Sequence, residues 1–250
     1  VTLRIAVAGK GGVGKTTCSA LLLRALALSG VRPLLAVDAD PNANLHQLLS
    51  LPLPEGLGSL REQQRAAAGG AVPLTDRIAS EVERRVSEGE AVDLIAMGRG
   101  EGPGCYCYVN NLLREALDRI EGGYRAVVVD NEAGMEHLSR LSTRRIDHLV
   151  LVGDPSSRGI DAVAALRDLA EELALPVGKT WLLLNRPYGA PGRAEVEALG
   201  LPLLAALPHD PRLPSWENEG RSFLDLPPGE SPAADAVADA LRTFLLGSAA

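Results

Sequence analysis

GKGGVGKTT, residues 9–17, fits the pattern G-x-x-x-x-G-K-[ST] and lies between an apolar run, LRIAVAG (3–9), and a helical one, KTTCSALLLRALALSG (15–30). Gly9, Gly11, Gly12 and Gly14, with Val13 among them, let the backbone turn its N–H groups inward around phosphate oxygens. A helix starting at Lys15 aims its positive end at the same place. In this pattern Lys15 reaches the β- and γ-phosphates of a nucleotide, the Thr16 hydroxyl ligates Mg²⁺, and Thr17 completes the nucleotide-binding run. The chemistry needs a strand before the loop and a helix after it, and the flanking segments read as both.

Outward from the loop the same alternation continues. RPLLAVDAD (32–40) reads as a second strand running out into Asp38 and Asp40, and RAVVVDNEAG (125–134) as a strand ending in Asp130. HLVLVGD (148–154) and KTWLLLN (179–185) repeat the form on either side of a helical stretch, IDAVAALRDLAEEL (160–173). Continuous Val/Leu runs separated by helices indicate strands buried on both faces. The expectation is an α/β, three-layer P-loop NTPase fold with a mostly parallel central sheet flanked by helices. No repeat or Pro/Ser-rich linker divides the chain, so residues 1–250 read as a single domain. SPAADAVADALRTFLLG (231–247) reads as a closing helix capped by Ser231, and residues 51–90 are the least readable part.

Composition narrows the function classes. The 250 residues are 46% hydrophobic, enough for a full core, and 25 basic against 32 acidic residues give a formal charge of −7. That balance supplies no general attraction for nucleic-acid backbones or anionic membranes, so neither is expected as a partner. The tail helix, with one Arg and no Lys, does not read as a membrane anchor. No run approaches the roughly 18 apolar residues of a membrane span, and the opening segment lacks signal-peptide features, so a cytoplasmic location is expected. Three cysteines make no disulfide framework. Cys18, inside an apolar helical pattern, reads as a buried small residue.

Lys10 adds a second lysine to the loop. GKGGVGKT resembles the deviant Walker A family of dimerising ATPases, which includes the nitrogenase iron protein, cell-division and plasmid-partition ATPases and metal-centre maturation ATPases. The resemblance spans roughly residues 3 to 210. It implies a homodimer that hydrolyses ATP to ADP and phosphate, with Lys10 crossing a two-fold interface to the partner's phosphates as a cationic finger. By the same resemblance VDADPNANL (37–45) is the first switch, in which Asp40 orients or deprotonates the attacking water and Asp38 couples the switch to Mg²⁺. VVVDNEAG (127–134) supplies Asp130 for the Mg²⁺ water shell and the Gly134 N–H as γ-phosphate sensor. Asn185, in LLLNRP, would hydrogen-bond adenine, and Pro208 and His209, in ALPHD, would cover the base.

GPGCYCYVNN (102–111) carries the other two cysteines, Cys105 and Cys107. Within the family, the stretch MGRGEGPGCYCYVNNLLREAL and the continuation DNEAGMEHLSR resemble the carbon-monoxide dehydrogenase accessory ATPases, which serve nickel insertion. There, two C-x-C motifs meet at the dimer interface and bind one metal ion. A proline commonly follows the second cysteine in that family, where this chain has Tyr108. Positions i and i+2 do not face each other on a helix, so the pair is expected in a turn or extended segment, with a helix beginning after it. A two-fold axis then collects four thiolates, a set suited to Zn²⁺ or, in planar form, Ni²⁺. The implied client is a nickel metalloenzyme of the carbon-monoxide dehydrogenase or acetyl-CoA synthase type. Three alternatives stay open: two unliganded cysteines, an iron–sulfur electron-transfer ATPase, and a partition or positioning ATPase without metal. Tyr106 and Tyr108 read as packing residues. His137, just beyond the second switch, reads as structural, with a link between ATP state and the metal as the other reading, and His46, His148 and His209 receive no metal assignment.

Overall fold

A computed structural model gives the fold for residues 2–57, 82, 84–98, 105–133, 145–185 and 193–246. Strands β1 (Leu3–Gly9), β2 (Leu34–Ala39), β3 (Val92–Ala96), β4 (Ala126–Asn131), β5 (Ile146–Gly153), β6 (Val177–Asn185) and β7 (Leu203–Leu207) form one sheet in the order β3-β2-β4-β1-β5-β6-β7. Every pairing is parallel. Helices α1 (Lys15–Leu28), α2 (Leu45–Leu49), α3 (Cys105–Ile120), α4 (Ser157–Glu172), α5 (Arg193–Ala198), α6 (Arg212–Asn218) and α7 (Pro232–Ala240) connect and follow the strands.

Alternation along each strand sorts the core into two layers. Ile5 and Val7 of β1 pack with α1 and α7, while Ala6 and Ala8 face the side of α4. On β2, Ala36 joins the α1 side, whereas Leu35 and Val37 pack with Val109, Leu112, Leu113 and Ala116 of α3. Because α1 is covered by the sheet, α2 and α7, it is buried nearly all round, Cys18 included. The closing helix is capped as its sequence suggests: the Ser231 hydroxyl accepts the Ala234 N–H at 3.1 Å.

Two strands escape the sequence reading. VDLIA (β3) lies in a stretch with few strand signals, and LLAAL (β7) is short and bordered by prolines. A third difference bears on the cysteines. Helix α3 begins at Cys105 itself, so the C-x-C pair occupies the first helical turn rather than a turn or extended segment ahead of it. The apolar series Val109, Leu112, Leu113, Ala116 and Leu117 is buried against β2 and β3. No described helix is long and apolar enough to cross a membrane.

Gly56 and Gly98 meet back to back. A Cβ on Gly56 would lie 2.8 Å from the Gly98 Cα, and one on Gly98, whose φ is +64°, would lie 2.7 Å from the Gly56 Cα. Only two residues without side chains allow this approach.

Candidate nucleotide site

The register of the sheet gathers the site at one edge. Val7 pairs with Asp130, and Asp38 pairs with Asp130 on its other side, so the carboxyl ends of β1, β2 and β4 lie together. In open parallel sheets this edge is where ligands bind.

The loop after β1 turns on its glycines. Gly12 and Gly14 adopt φ of +74° and +94°, and Gly14 is the N-cap of α1. Asn185, at the end of β6, donates from Nδ2 to the Val13 carbonyl at 2.8 Å and so clamps the loop from the side. A Cβ on Gly14 would fall 2.3 Å from that same Nδ2, whereas one on Gly12 meets nothing within 4 Å. Gly14→Ala is therefore expected to weaken Mg-ADP binding at least tenfold, and Gly12→Ala distinctly less. Calorimetric titration of both variants checks the ranking.

Lys15 is 8% exposed, and its Nζ donates to the Lys10 carbonyl at 3.2 Å, curled into the loop it serves. Burial lowers its pKa, and Asp130, Asp40 and Glu132 act against that. Three carboxylates thus favour the charged form of one ammonium. Glu132 was not singled out from the sequence; its signal was an acid two residues beyond Asp130 in VVVDNEAG.

Asp130 is 1% exposed. The Ser19 hydroxyl donates to its Oδ1 at 3.0 Å, and the Thr16 hydroxyl bonds to the same carboxyl. Burial pushes this carboxyl up to about 7; the charge of Asp38 adds to the rise, while Thr16, Ser19 and Lys15 oppose it. Ser19, one helical turn beyond the loop, is a further residue missed from sequence, since inside an apolar helix it reads as filler. Asn131 donates from Nδ2 to the Val7 carbonyl at 2.9 Å, tying the end of β4 to β1.

Asp38 is buried, and its two oxygens accept the Asp40 N–H at 3.1 Å and the Leu45 N–H at 2.8 Å. It therefore holds the loop between β2 and α2. Burial raises its carboxyl to about 6 even though both N–H groups pull it down. Asp40 sits on that loop, partly exposed, with Oδ1 accepting the Asn42 N–H at 2.8 Å.

Lys10 forms an ion pair with Asp154, which lies one residue beyond β5. Pro208 and His209 are exposed just beyond β7. The next residue, Asp210, anchors their segment by accepting from the Ser231 hydroxyl at 2.5 Å and the Arg212 N–H at 3.0 Å. Gly134 and His137 lie outside the described residues. The same holds for the side chains of Cys105, Tyr106, Cys107 and Tyr108, and no metal-binding group of three His, Cys, Asp or Glu occurs among the described residues. Because β3 and β4 run parallel, the connecting α3 must run back along the sheet. Its start, with the cysteines, therefore lies toward the carboxyl edge that carries the phosphate loop.

The Gly-rich cradle fits a triphosphate: backbone with open positive-φ turns, a buried ammonium, and a hydroxyl bonded to a strand-end carboxyl of the kind that holds Mg²⁺. Fold and site together define a P-loop ATPase. More narrowly, residues 5–223 match the CobQ/CobB/MinD/ParA nucleotide binding domain family, and the chain belongs to it. It is 35% identical over 231 residues to the ATP-binding protein MJ0685 of Methanocaldococcus jannaschii, covering 89% of this chain and 91% of that one. With the carbon monoxide dehydrogenase accessory protein CooC of Rhodospirillum rubrum it shares 33% identity over 261 residues, covering 98% and 96%. Among solved structures, the septum site-determining protein MinD of Pyrococcus horikoshii, complexed with Mg-ADP, superposes with a TM-score of 0.71 at 25% identity, covering 100% of this chain and 99% of that one.

Proposed function

We propose that this protein is a homodimeric ATPase that delivers or gates a metal ion, nickel above all, for a client metalloenzyme of the carbon-monoxide dehydrogenase type. The carrying observation is the C-x-C pair at the start of α3, on the phosphate-loop side of the sheet, in a chain similar along almost its whole length to a carbon monoxide dehydrogenase accessory protein.

Each residue then has a task. The loop N–H groups and Lys15 bind the β- and γ-phosphates, while Thr16 and Asp130 hold Mg²⁺ and its water shell. Bound Mg²⁺ neutralises phosphate charge and supplies Lewis acidity. Asp40 orients the water whose oxygen bonds to the γ-phosphorus as the bridging bond to the β-phosphate breaks. Lys10 of each chain reaches the other chain's phosphates, so ATP fastens the two copies and hydrolysis loosens them. The Gly134 N–H, with Asp38, passes the state of the γ-phosphate to the switches. Pro208 and His209 cover the base, and Asn185, which also clamps the loop, hydrogen-bonds adenine. The cargo metal is bound by Cys105 and Cys107 of both chains, whose position in a first helical turn favours thiolate over thiol. Since i and i+2 lie on different faces of a helix, a four-sulfur site requires the first turn of α3 to unwind. A site with one sulfur from each chain does not.

Metal titration of the ATP-bound protein tests this reading, with Ni²⁺ and Zn²⁺ in separate arms. One ion per dimer is expected. The Cys105→Ser/Cys107→Ser double variant should keep ATP binding and lose the ion. Unchanged metal stoichiometry in that variant would overturn the cysteine assignment, and an iron–sulfur chromophore after anaerobic purification would make the cargo a cluster.

A further inference from the structure

The lysine assigned to the partner's phosphates already has an anion of its own. Register fixes the neighbourhood: Gly9 pairs with Val152, so Lys10, one residue beyond β1, and Asp154, two beyond Val152, emerge side by side. Their side chains form an ion pair and remain partly exposed.

The two partners differ in freedom. Asp154 is held: its Oδ1 accepts the Ser156 N–H at 3.0 Å and also the Ser156 hydroxyl, and that hydroxyl oxygen takes the Gly159 N–H at 3.0 Å in the first turn of α4. Gly159 packs directly on it, since a Cβ there would lie 2.2 Å from the Asp154 carbonyl oxygen and 2.6 Å from its Oδ1. The Asp154 carboxyl sits below its ordinary range because Lys10 and Ser156 outweigh the opposing effect of partial burial. Lys10, by contrast, carries its charge on a flexible four-carbon stem. When the ammonium moves, Asp154 cannot follow.

We propose that Asp154 is a positioning residue that holds Lys10 in cis and thereby sets the affinity of the ATP-bound dimer. The inference rests on the dimeric reading above. A lysine that reaches across a two-fold axis must first leave Asp154, and symmetry makes each dimer break two such pairs. The pair therefore favours the separate chain and opposes closure until phosphates on the partner offer a stronger anion. Through Ser156 and Gly159 the same carboxylate is joined to the start of α4, so departure of Lys10 also changes the charge at that helix terminus.

The dimer dissociation constant, measured by analytical ultracentrifugation with a non-hydrolysable ATP analogue and Mg²⁺, tests the proposal. Asp154→Asn keeps an acceptor for Ser156 and removes the charge. It is expected to tighten the dimer roughly three- to thirty-fold, the range for two partly exposed ion pairs relieved at once. Asp154→Ser serves as the second variant, and thermal melts confirm that both fold. In a Lys10→Ala background neither substitution should change the constant, an outcome that a merely structural role for Asp154 would not give. Unchanged or weaker association in Asp154→Asn, or tightening that persists without Lys10, overturns the inference while leaving the dimer reading intact. A wild-type chain that stays monomeric with the ATP analogue removes both.

Discussion

Asp130→Asn is expected to yield a protein that, without nucleotide at pH 8, melts at least 5 °C above the wild type and no longer hydrolyses ATP at a useful rate. The stability gain follows from burial. The Asp130 carboxyl is 1% exposed and raised to about 7, so at pH 8 the fold holds an ionised group where it favours a neutral one. Removing that charge is expected to stabilise the fold by on the order of 2 to 4 kcal/mol. For a chain of this size about 2 to 4 °C accompanies each kcal/mol. Asparagine keeps an acceptor for Ser19 and much the same volume. The catalytic loss follows from the other half of the role. In the proposed mechanism the Mg²⁺ water shell loses its strand-end anchor without the carboxylate, and turnover is expected to fall about a thousandfold. Thermal melts and phosphate-release kinetics check the two halves separately. A lower melting temperature, or a tenth of the wild-type rate remaining, contradicts the assignment.

The nucleotide-free wild type is expected to lose stability as pH rises from about 4 to 8, and to regain it on binding Mg-nucleotide with release of protons. Asp38 and Asp130 both have folded pKa values above their ordinary ones, at about 6 and about 7. The stability they contribute is fully present below the unfolded carboxyl range and is lost as pH climbs through 6 and 7. His148 works in the opposite sense. Burial lowers its pKa, with Asp147 opposing and Lys179 adding to the shift, so its contribution is lost as pH falls below 6.5. The carboxylate contribution is therefore isolated by comparing urea unfolding of the wild type with that of Asp130→Asn at pH 5.5 and 8. The wild type should fall behind the variant by about 2 kcal/mol or more at the higher pH. Calorimetry of Mg-ADP binding at pH 6.5 in two buffers of different ionisation enthalpy should register proton release, and less of it in the variant. Equal pH dependence in the two proteins contradicts the prediction.

These predictions concern residues whose place was legible early. The phosphate loop, the strands before and after it, and the acids at strand ends announce themselves because a parallel strand buried on both faces cannot alternate, and because the loop's chemistry demands glycine at set intervals. What stayed hidden depended on contacts between distant segments. β3, VDLIA, is a strand only because Val92–Ala96 lies in register with Leu34–Asp38. Ser19 looks like filler until β4 brings Asp130 to it. The bond from Asn185 to the Val13 carbonyl is a link across 172 residues that no local pattern encodes. The cysteine pair illustrates the opposite error. Because positions i and i+2 do not face each other on a helix, the pair is expected ahead of one, whereas α3 begins at Cys105 itself.

The contact between Gly56 and Gly98 ties two stretches of very different character to one point. Residue 56 leads toward the long stretch between α2 and β3, and residue 98 leads toward the cysteine-bearing helix. Neither glycine can drift alone in evolution: a methyl group at either site strikes the backbone of the other glycine at under 3 Å. Across relatives the two positions should accordingly change in concert or not at all. Grafting this chain's cysteine-bearing segment onto another member of the group would have to carry both glycines as one unit.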